Sequence, residues 1–344
     1  MTETLFIQCG LGLEPALREE LADLGPWTRL TTERGGVEVE GPPLAYQRVN
    51  LWSRVATRVL LRVATVAQPE AMSRVHLERF GARFSVEASG DGASRWRSAA
   101  ARAFGDSNDG LELQVRAAHG RATISIDTSG ELLHVRGYRQ EIGRAPLRET
   151  LAAGVLRLAG FAPREPLWDV MCGSGTLVIE AAEWARGLAP GRNRHFAFES
   201  FAGHDAPKLA ALAKPREIPP AQPPIFGSDL NAGALGTARR NAKRAGVLDA
   251  LTLERLDATR LAPRSGVAAT GLVVANLPYG RRVGEAGELG RLYRQLGVAL
   301  RRACKGWRFG LLLEEGAEAL GLPVEATFPV VNGGLQCQVL VGRL

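Results

Sequence analysis

Two short stretches carry the residue types that could do chemistry. The first, Asp169-Val-Met-Cys-Gly-Ser-Gly-Thr176, is a glycine loop that directly follows a hydrophobic run. The second, Asn276-Leu-Pro-Tyr-Gly280, ends another hydrophobic run with an amide, a proline and an aromatic ring. A glycine loop alone is a weak signal. Together the two stretches suggest a device that holds a flat amino group in front of a methyl donor.

The glycine loop lies where a predicted strand turns into a helix, and its glycines allow tight backbone geometry and close approach of a ligand. The missing side chains leave room for an adenosine moiety. The loop lacks the Gly-Lys-Ser/Thr ending of a phosphate loop, which disfavours NTP hydrolysis, and it departs from G-x-G-x-x-G spacing, which disfavours NAD. A packing turn in a doubly wound sheet remains the alternative.

Two carboxylates end the next predicted strands. Asp229 could accept both ribose hydroxyls, although it lies 60 residues from Asp169 rather than about 20; an insertion, Pro190–Pro224, explains the excess. The alternative is an N-cap for a helix from Ala232. Asp257 could accept from an adenine amino group or mark an ordinary strand-end turn. The candidate cofactor-binding residues are Asp169, Met171, Cys172, Gly173, Ser174, Gly175, Thr176, Asp229, Leu230, Asp257 and Ala258.

The candidate catalytic residues, Asn276, Pro278 and Tyr279, end the fourth strand beside the expected topological switch. An exocyclic base amine is a poor nucleophile because its lone pair is conjugated into the ring. The Asn276 oxygen and a backbone carbonyl near Leu277 or Pro278 could accept its two N–H bonds, and Tyr279 could stack on the base. Positioning and electrostatics then carry most of the rate without a metal or strong base. Turn formation by Asn and Pro is the alternative.

Cations near these stretches are candidates for substrate contact. Arg281 and Arg282 follow the tetrad and could meet substrate phosphates, although a solvated pair is an equal alternative, and Arg139 and Arg144 lie in a basic junction. The net charge is +7, and all of the excess falls within residues 141–344. A basic excess favours nucleic acid. Only four of the 43 cations are lysines, however, and a GC-rich genome gives the same arginine bias, so charge alone decides nothing.

Several classes of protein are disfavoured. The four cysteines are scattered and the five histidines show no ligand spacing, so we predict neither a disulfide framework nor a metal site. The sequence has no apolar run of about 18 residues and no secretory signal at its start. We therefore predict a cytoplasmic protein without a membrane partner, and favour a monomer.

The pattern of elements changes along the chain. Short strands and helices alternate in the first part, as in an α+β fold; the predicted helices are Leu13–Leu24, Leu44–Val55 and Ala93–Phe104, and the predicted strands Gly36–Glu40, Thr57–Val63, Phe84–Ala88, Leu111–Val115 and Ala122–Ile126. After a helix over Leu147–Leu158 the pattern becomes β-α-β-α, which predicts an α/β fold with a parallel sheet. We predict an extended linker over Ile218–Pro224.

Dispersed motifs in a fixed order resemble one family. They are Gly12-Leu-Glu-Pro-Ala-Leu-Arg-Glu-Glu-Leu21, Asn50-Leu-Trp52, Leu133-His-Val-Arg-Gly-Tyr-Arg139, Ala145-Pro-Leu-Arg-Glu-Thr-Leu-Ala-Ala153, Asp169–Thr176, Asn193-Arg-His-Phe-Ala-Phe-Glu199 and Asn276–Gly280. With them the chain resembles the bacterial THUMP-containing RNA guanine-N2 methyltransferases, including the N-terminal half of the large-subunit rRNA enzyme.

The resemblance implies an N-terminal ferredoxin-like region over residues 1–62 and a THUMP RNA-binding domain over 63–140. It implies a class I, Rossmann-like methyltransferase domain over 141–344, with the insertion at about 190–224. The implied donor is S-adenosyl-L-methionine, the by-product S-adenosyl-L-homocysteine, and the product N2-methylguanosine in RNA. By position, Asp169, Gly173 and Gly175 would lie in the donor loop, Asp229 at the ribose, Asp257 near adenine, and Asn276, Pro278 and Tyr279 at the target base.

One departure bears on the substrate. The rRNA group of the family carries Asn-Pro-Pro-Tyr, and Leu277 here replaces the first proline, a position at which tRNA-modifying relatives vary. We rank 23S rRNA ahead of tRNA, and expect the chain to lack the second methyltransferase module of some rRNA enzymes. Two alternatives are a DNA adenine-N6 or cytosine-N4 methyltransferase, disfavoured by the zero net charge of the THUMP-like first part, and a non-catalytic RNA-binding assembly factor, disfavoured by the intact tetrad residues.

Overall fold

The computed structural model describes residues 2–81, 83–140, 147–215, 223–264, 268–278 and 286–344. The chain divides into two compact units, each assembled from three segments. The first unit comprises Met1–Cys9, Leu17–Leu133 and Gly191–Lys214, and the second comprises Gly10–Ala16, His134–Pro190 and Pro215–Leu344. No helix in the described part of the chain is long and apolar enough to span a membrane.

One mixed sheet organises the N-terminal elements. These are β1 (Glu3–Gln8), α1 (Glu14–Leu24), β2 (Arg29–Glu33), β3 (Gly36–Gly41), α2 (Ala45–Trp52), β4 (Arg58–Val66), β5 (Phe84–Gly90), α3 (Ala93–Phe104), β6 (Leu111–Ala118) and β7 (Arg121–Asp127). The strand order is β2-β3-β1-β4-β7-β6-β5. Strands β5 and β6 run parallel, and the other neighbouring strands run antiparallel. The predicted domain border at residue 62 falls inside β4, which pairs with both β1 and β7.

A second sheet organises the remaining elements. These are α4 (Glu149–Leu158), β8 (Leu167–Asp169), α5 (Thr176–Ala185), α6 (Ala206–Leu212), β9 (Ile225–Asp229), α7 (Ala232–Ala245), β10 (Leu251–Arg255), β11 (Leu272–Asn276), α8 (Ala286–Ala303), β12 (Arg308–Leu313), β13 (Val324–Asn332) and β14 (Leu335–Arg343). The strand order is β10-β9-β8-β11-β12-β14-β13, and β10 to β12 are parallel. Strand β14 pairs antiparallel with β12 and β13. The predicted α/β architecture with a mainly parallel sheet is confirmed.

Burial explains why the central strands of this sheet are apolar runs. Residues 272–275 of β11 are fully buried, as expected for a parallel strand covered on both faces. The first two parallel strands of the sheet in chain order, β8 and β9, lie on one side of β11, and β12 lies on the other. The strand order therefore reverses between β8 and β11, and the carboxyl ends of these strands form the crevice where such sheets bind ligands.

The segment that we expected to be an insertion of the second half groups largely with the first unit. Its residues 191–214 belong there because its aromatic side chains are buried against aromatic rings of that unit. Phe198 lies 5.4 Å from Tyr46 and Phe201 lies 5.1 Å from Phe80, measured between ring centroids. Most of the predicted linker, residues 218–222, lies outside the described residues.

Candidate active site

A cleft of about 780 Å³ opens at the carboxyl ends of β8, β9, β10 and β11. This volume is in the range of small-molecule and cofactor sites. The cleft is lined by every predicted cofactor-binding residue except Gly175, and also by Asn276 and Pro278. The two stretches that suggested chemistry in the sequence therefore meet in one cavity, although 107 residues separate Asp169 from Asn276.

The glycine loop forms a hydrogen-bonded turn, in which Gly173 and Gly175 have different structural roles. The Gly175 N–H donates to the Cys172 carbonyl at 2.8 Å. Gly173 has a φ of +52°, and a Cβ there would meet no atom within 4 Å, so this glycine leaves open space. Gly175 has a φ of +89°, and its Cβ would come within 3.0 Å of Ala238 on α7. The packing alternative thus applies to Gly175, whereas Gly173 leaves room beside the cleft.

Asp229 holds this loop from the end of β9. Its Oδ2 accepts the Gly173 N–H at 2.9 Å, and its Oδ1 accepts the Asn231 N–H at 2.8 Å. The alternative interpretation, in which Asp229 caps α7, is wrong. The side chain of Asn231 is the cap, because its oxygen accepts the Gly233 N–H at 2.9 Å. Asp229 is therefore free of the capping role and faces the cleft.

Asp257 forms the strand-end turn considered for it and also lies at the cleft, whereas its contact with adenine stays a prediction. It lines the cleft, and it also begins a 3₁₀ turn, Ala258–Arg260. Its Oδ1 accepts the Thr259 N–H at 2.9 Å and the Thr259 hydroxyl at 2.7 Å. These hydrogen bonds to the charged form lower the pKa of Asp257, so this carboxylate is ionised and already partly satisfied by its own turn.

Asp169 differs from the other two carboxyl groups because it is only 1% exposed. Burial, reinforced by the neighbouring charge of Asp229, raises the pKa of Asp169 to about 8, against the opposing hydrogen bond from the Met171 N–H. That hydrogen bond is 3.2 Å long. Near neutral pH, Asp169 is therefore largely protonated in the absence of a cation beside it.

Asn276 is the last residue of β11, and its side-chain oxygen lacks a hydrogen-bond donor among the described residues. Its Oδ1 is buried and accepts no hydrogen bond from any residue in the described ranges. A buried acceptor without a partner costs about 1–3 kcal/mol, so such an atom in a cleft is a candidate for binding a ligand donor. The backbone next to it is anchored, because the Leu277 N–H donates to the Leu312 carbonyl of β12 at 2.9 Å.

The Pro278 carbonyl is also fixed. It accepts the hydroxyl of Tyr293, a fully buried residue of α8, at 2.9 Å. The other predicted residues of this region, Tyr279, Arg281 and Arg282, lie outside the described residues, as does Arg144.

Arg139, which we predicted to contact substrate, is engaged inside the second unit. Its guanidinium donates to the Leu147 carbonyl and to the Thr176 hydroxyl, each at 2.6 Å. Its Nε lies 2.8 Å from Glu149, and 11% of its side chain is exposed. Since Thr176 begins α5, Arg139 braces the loop-to-helix junction beside the cleft, and we correct its predicted role from substrate contact to support of this junction.

Sequence reasoning missed other lining residues, namely Leu147, Val170, Leu177, Asn231, Gly233, Ala234, Thr237, Leu256 and Leu292. Asn231, directly before α7, is a residue type favoured at helix N-caps, and this local signal could have identified it. Leu292 has no such signal, because it reaches the cleft from α8 only through the tertiary fold. Across the described ranges, no group of three or more His, Cys, Asp or Glu side chains could hold a metal ion.

Comparisons with known proteins agree with this architecture. A curated relative, the Ribosomal RNA large subunit methyltransferase K/L of Chromohalobacter salexigens, is 35% identical over 381 residues, covering 98% of this chain and 52% of the relative. The chain thus spans about half the length of that relative.

Two solved structures resemble the whole chain. A possible methylase from Clostridium difficile 630 matches with a TM-score of 0.86 and 28% identity, over 99% of this chain and 98% of that one. A protein described as a predicted N6-adenine-specific DNA methylase from Listeria monocytogenes str. 4b F2365 matches with a TM-score of 0.83 and 27% identity, over 99% and 96%.

Two protein families match defined parts of the sequence. Residues 4–60 match the RlmL ferredoxin-like domain, which confirms the predicted ferredoxin-like region. Residues 136–337 match the RMKL-like methyltransferase domain. This second match covers more than half of the chain, agrees with the cleft and the strand order, and confirms the predicted Rossmann-like methyltransferase domain: the chain belongs to the RMKL-like methyltransferase family.

Proposed function

We propose that this chain is an S-adenosyl-L-methionine-dependent RNA methyltransferase that modifies the exocyclic N2 of a guanosine in 23S rRNA. The observation that carries the proposal is the buried Oδ1 of Asn276, which has no partner among the described residues and lies in the cleft that also contains the glycine loop. Family membership and the name of the curated relative support the reaction and the rRNA substrate.

The donor side of the cleft has features that fit an adenosine compound. The space beside Gly173 admits a ligand close to the backbone, and Asp229 offers carboxylate oxygens for ribose hydroxyls. Leu230, which follows it, is 60% exposed and lines the cleft, so its side chain could cover one face of the adenine. The donor, when bound, supplies an electrophilic methyl group on a sulfonium sulfur.

On the target side, Asn276 Oδ1 would accept one N–H of the guanine amine and a backbone carbonyl the other. Because the Pro278 carbonyl already accepts from Tyr293, we assign the second contact to the Leu277 carbonyl. Two such acceptors draw electron density onto the nitrogen and aim it. As the nitrogen–carbon bond forms, the carbon–sulfur bond breaks with its electron pair going to sulfur, and the surplus proton passes to water.

The RNA contacts remain proposals. We assign residues 63–140 to a THUMP RNA-binding domain, Tyr279 to base stacking, and Arg144, Arg281 and Arg282 to phosphates. Among described residues, Arg291 and Arg294 on α8 are exposed and lack a described partner, and they flank Leu292, which lines the cleft. We add these two as phosphate contacts. A cytoplasmic location, a monomeric state and the absence of a metal remain predictions.

A second function, DNA adenine-N6 methylation, is favoured by one observation, the description of the Listeria structure. That description names the activity of that protein, and the name of the curated relative points instead to rRNA. Transfer to tRNA is the third possibility, because Leu277 replaces a proline of the rRNA group.

The test is transfer of radiolabelled methyl groups to three unmodified substrates: a 23S rRNA transcript, a tRNA pool and duplex DNA. We expect label in 23S rRNA, with N2-methylguanosine identified by mass spectrometry of the digested product. The Asn276→Ala protein is the control that measures the background of label incorporation. Label in DNA as N6-methyladenine, or in tRNA alone, would overturn the substrate assignment, and the absence of donor binding in calorimetry would overturn the enzymatic function.

A further inference from the structure

We propose that Tyr293 is a positioning residue whose hydroxyl group sets the geometry of the target-base segment, Asn276–Pro278. The inference deepens the proposed function and rests on it for the identity of the reaction. Its starting point is a single contact, the 2.9 Å hydrogen bond from the Tyr293 hydroxyl to the Pro278 carbonyl.

The ring of Tyr293 is held rigidly. Tyr293 is 0% exposed and belongs to the core that α8 shares with the sheet, together with Leu296 and Leu300. A Cβ on Gly316 would lie 3.5 Å from two ring carbons of Tyr293, so the backbone after β12 packs against the ring. Because packing fixes the ring, the hydroxyl occupies a defined point.

The hydroxyl is not required by packing. A phenylalanine would fill nearly the same volume without burying a polar group, whereas a buried tyrosine hydroxyl needs a hydrogen-bond partner. Here the described partner is the backbone of the tetrad, within two residues of Asn276. The bond therefore joins the core of α8 to the loop that carries the proposed catalytic groups.

Fixing this carbonyl has a geometric consequence. The oxygen lies in the rigid plane of the peptide bond that follows Pro278, and proline itself has a restricted φ. Anchoring the oxygen therefore fixes the orientation of the Pro278 carbonyl group. The Leu277 N–H is anchored to β12, so two bonds hold the backbone on either side of the Leu277 carbonyl, the proposed second acceptor, and release of one should loosen the other.

The test compares Tyr293→Phe with Tyr138→Phe. Tyr138 is also buried in the second unit, its hydroxyl donates to Glu180 at 3.4 Å, and neither residue lines the cleft. Each variant removes one buried hydroxyl and keeps its ring, so we expect similar small losses of melting temperature. Methyl transfer to 23S rRNA under saturating donor should fall about 10- to 100-fold in Tyr293→Phe, since small misplacements of reacting groups have effects of this size. It should stay within about twofold of wild type in Tyr138→Phe, the change expected when no reacting group moves.

Two further measurements separate positioning from general damage. Affinity for S-adenosyl-L-homocysteine should not change in Tyr293→Phe. Hydrogen exchange of the Leu277 amide should become faster in Tyr293→Phe and remain at the wild-type rate in Tyr138→Phe. Unchanged exchange would overturn the proposal whatever the substrate is, as would wild-type turnover. Inactivity of the wild-type protein on rRNA, with faster exchange in Tyr293→Phe, would instead count against the proposed function and leave the positioning role supported.

Discussion

The donor side of the cleft and its target side hold their polar groups in different states. On the donor side, Asp229 accepts two backbone N–H bonds, and Asp257 accepts a backbone and a hydroxyl bond. On the target side, Asn276 Oδ1 accepts none within the described ranges. The donor side is thus organised by its own loops before a ligand arrives. The target side keeps one acceptor available, and we expect the proposed target base to complete its hydrogen bonding.

The sharpest test of this contrast is Asn276→Ala. We expect methyl transfer to fall by about 10²–10³-fold, the size of effect seen when one preorganised electrostatic contact to a reacting group is removed. Donor affinity should remain near that of wild type, because no hydrogen bond described on the donor side involves Asn276. Single-turnover kinetics and calorimetry measure the two quantities. Asn276→Asp, which keeps an acceptor oxygen, should lose less, and equal loss in both variants would contradict the acceptor role.

Asp229→Ala should mainly affect donor binding. It removes the proposed ribose contact and the acceptor of the Gly173 N–H, so we expect the donor Kd to rise about 10- to 100-fold, as for a hydrogen bond to a charged group. Asp257→Ala provides the comparison within the same side. Its expected rise is smaller, about threefold, because the hydrogen bonds of Asp257 stay within its own turn and it does not hold the glycine loop as Asp229 does. If Asp257→Ala proved the more damaging variant in calorimetry, the ribose assignment would be wrong.

Asp169 gives the donor side a dependence on pH. The unfolded carboxyl loses its proton near pH 4, whereas burial in the folded protein raises the pKa of Asp169 to about 8. The folded state binds the extra proton between these values, so this group's contribution to stability is present at low pH and is lost as pH rises to about 8.

Asp169→Asn should remove the loss of stability that wild type undergoes as pH rises. The ligand-free variant should therefore be about 1–2 kcal/mol more stable than wild type at pH 9. Urea unfolding at pH 6 and pH 9 measures the effect. The difference between variant and wild type should be smaller at pH 6, and a difference independent of pH would show that Asp169 does not titrate in this range.

The proposed RNA contacts next to the target side should contribute modestly. Arg291→Gln and Arg294→Gln should each weaken RNA binding by about 3- to 10-fold and reduce the slope of log K against log salt by about 1. Arg164 is an equally exposed arginine without a described partner, but it precedes β8, at the opposite end of the sheet from the cleft. Filter binding at several salt concentrations should show no change for Arg164→Gln; an equal change in all three variants would mean a diffuse effect of charge.

Local signals explain what could be predicted from the sequence. Helix α3 begins and ends at the predicted residues because glycines flank it. Helix α7 begins at Ala232, as predicted, because Asn231 caps it. Strands β1 and β2 were not predicted. The second has the sequence RLTTE at the edge of its sheet and is only partly buried, so pairing with β3 determines its structure more than its own composition does.

The site divides in the same way. The glycine loop and the tetrad are continuous in sequence, so their residue types were visible. The contacts of Arg139, Leu292 and Tyr293 depend on which distant segments pack together. An isolated sequence shows that Arg139 is cationic, but not that Leu147 and Thr176 are its hydrogen-bond partners.

Strand β4 has a consequence for how the first half of the chain folds. It lies in the middle of a seven-stranded sheet and joins the strands matched by the ferredoxin-like family to β5, β6 and β7. A sheet loses the hydrogen-bond ladders on both sides of a central strand when that strand detaches. We therefore expect the N-terminal sheet to unfold in one cooperative transition. The ferredoxin-like region and the region that follows it in the sequence would then form a single folding unit.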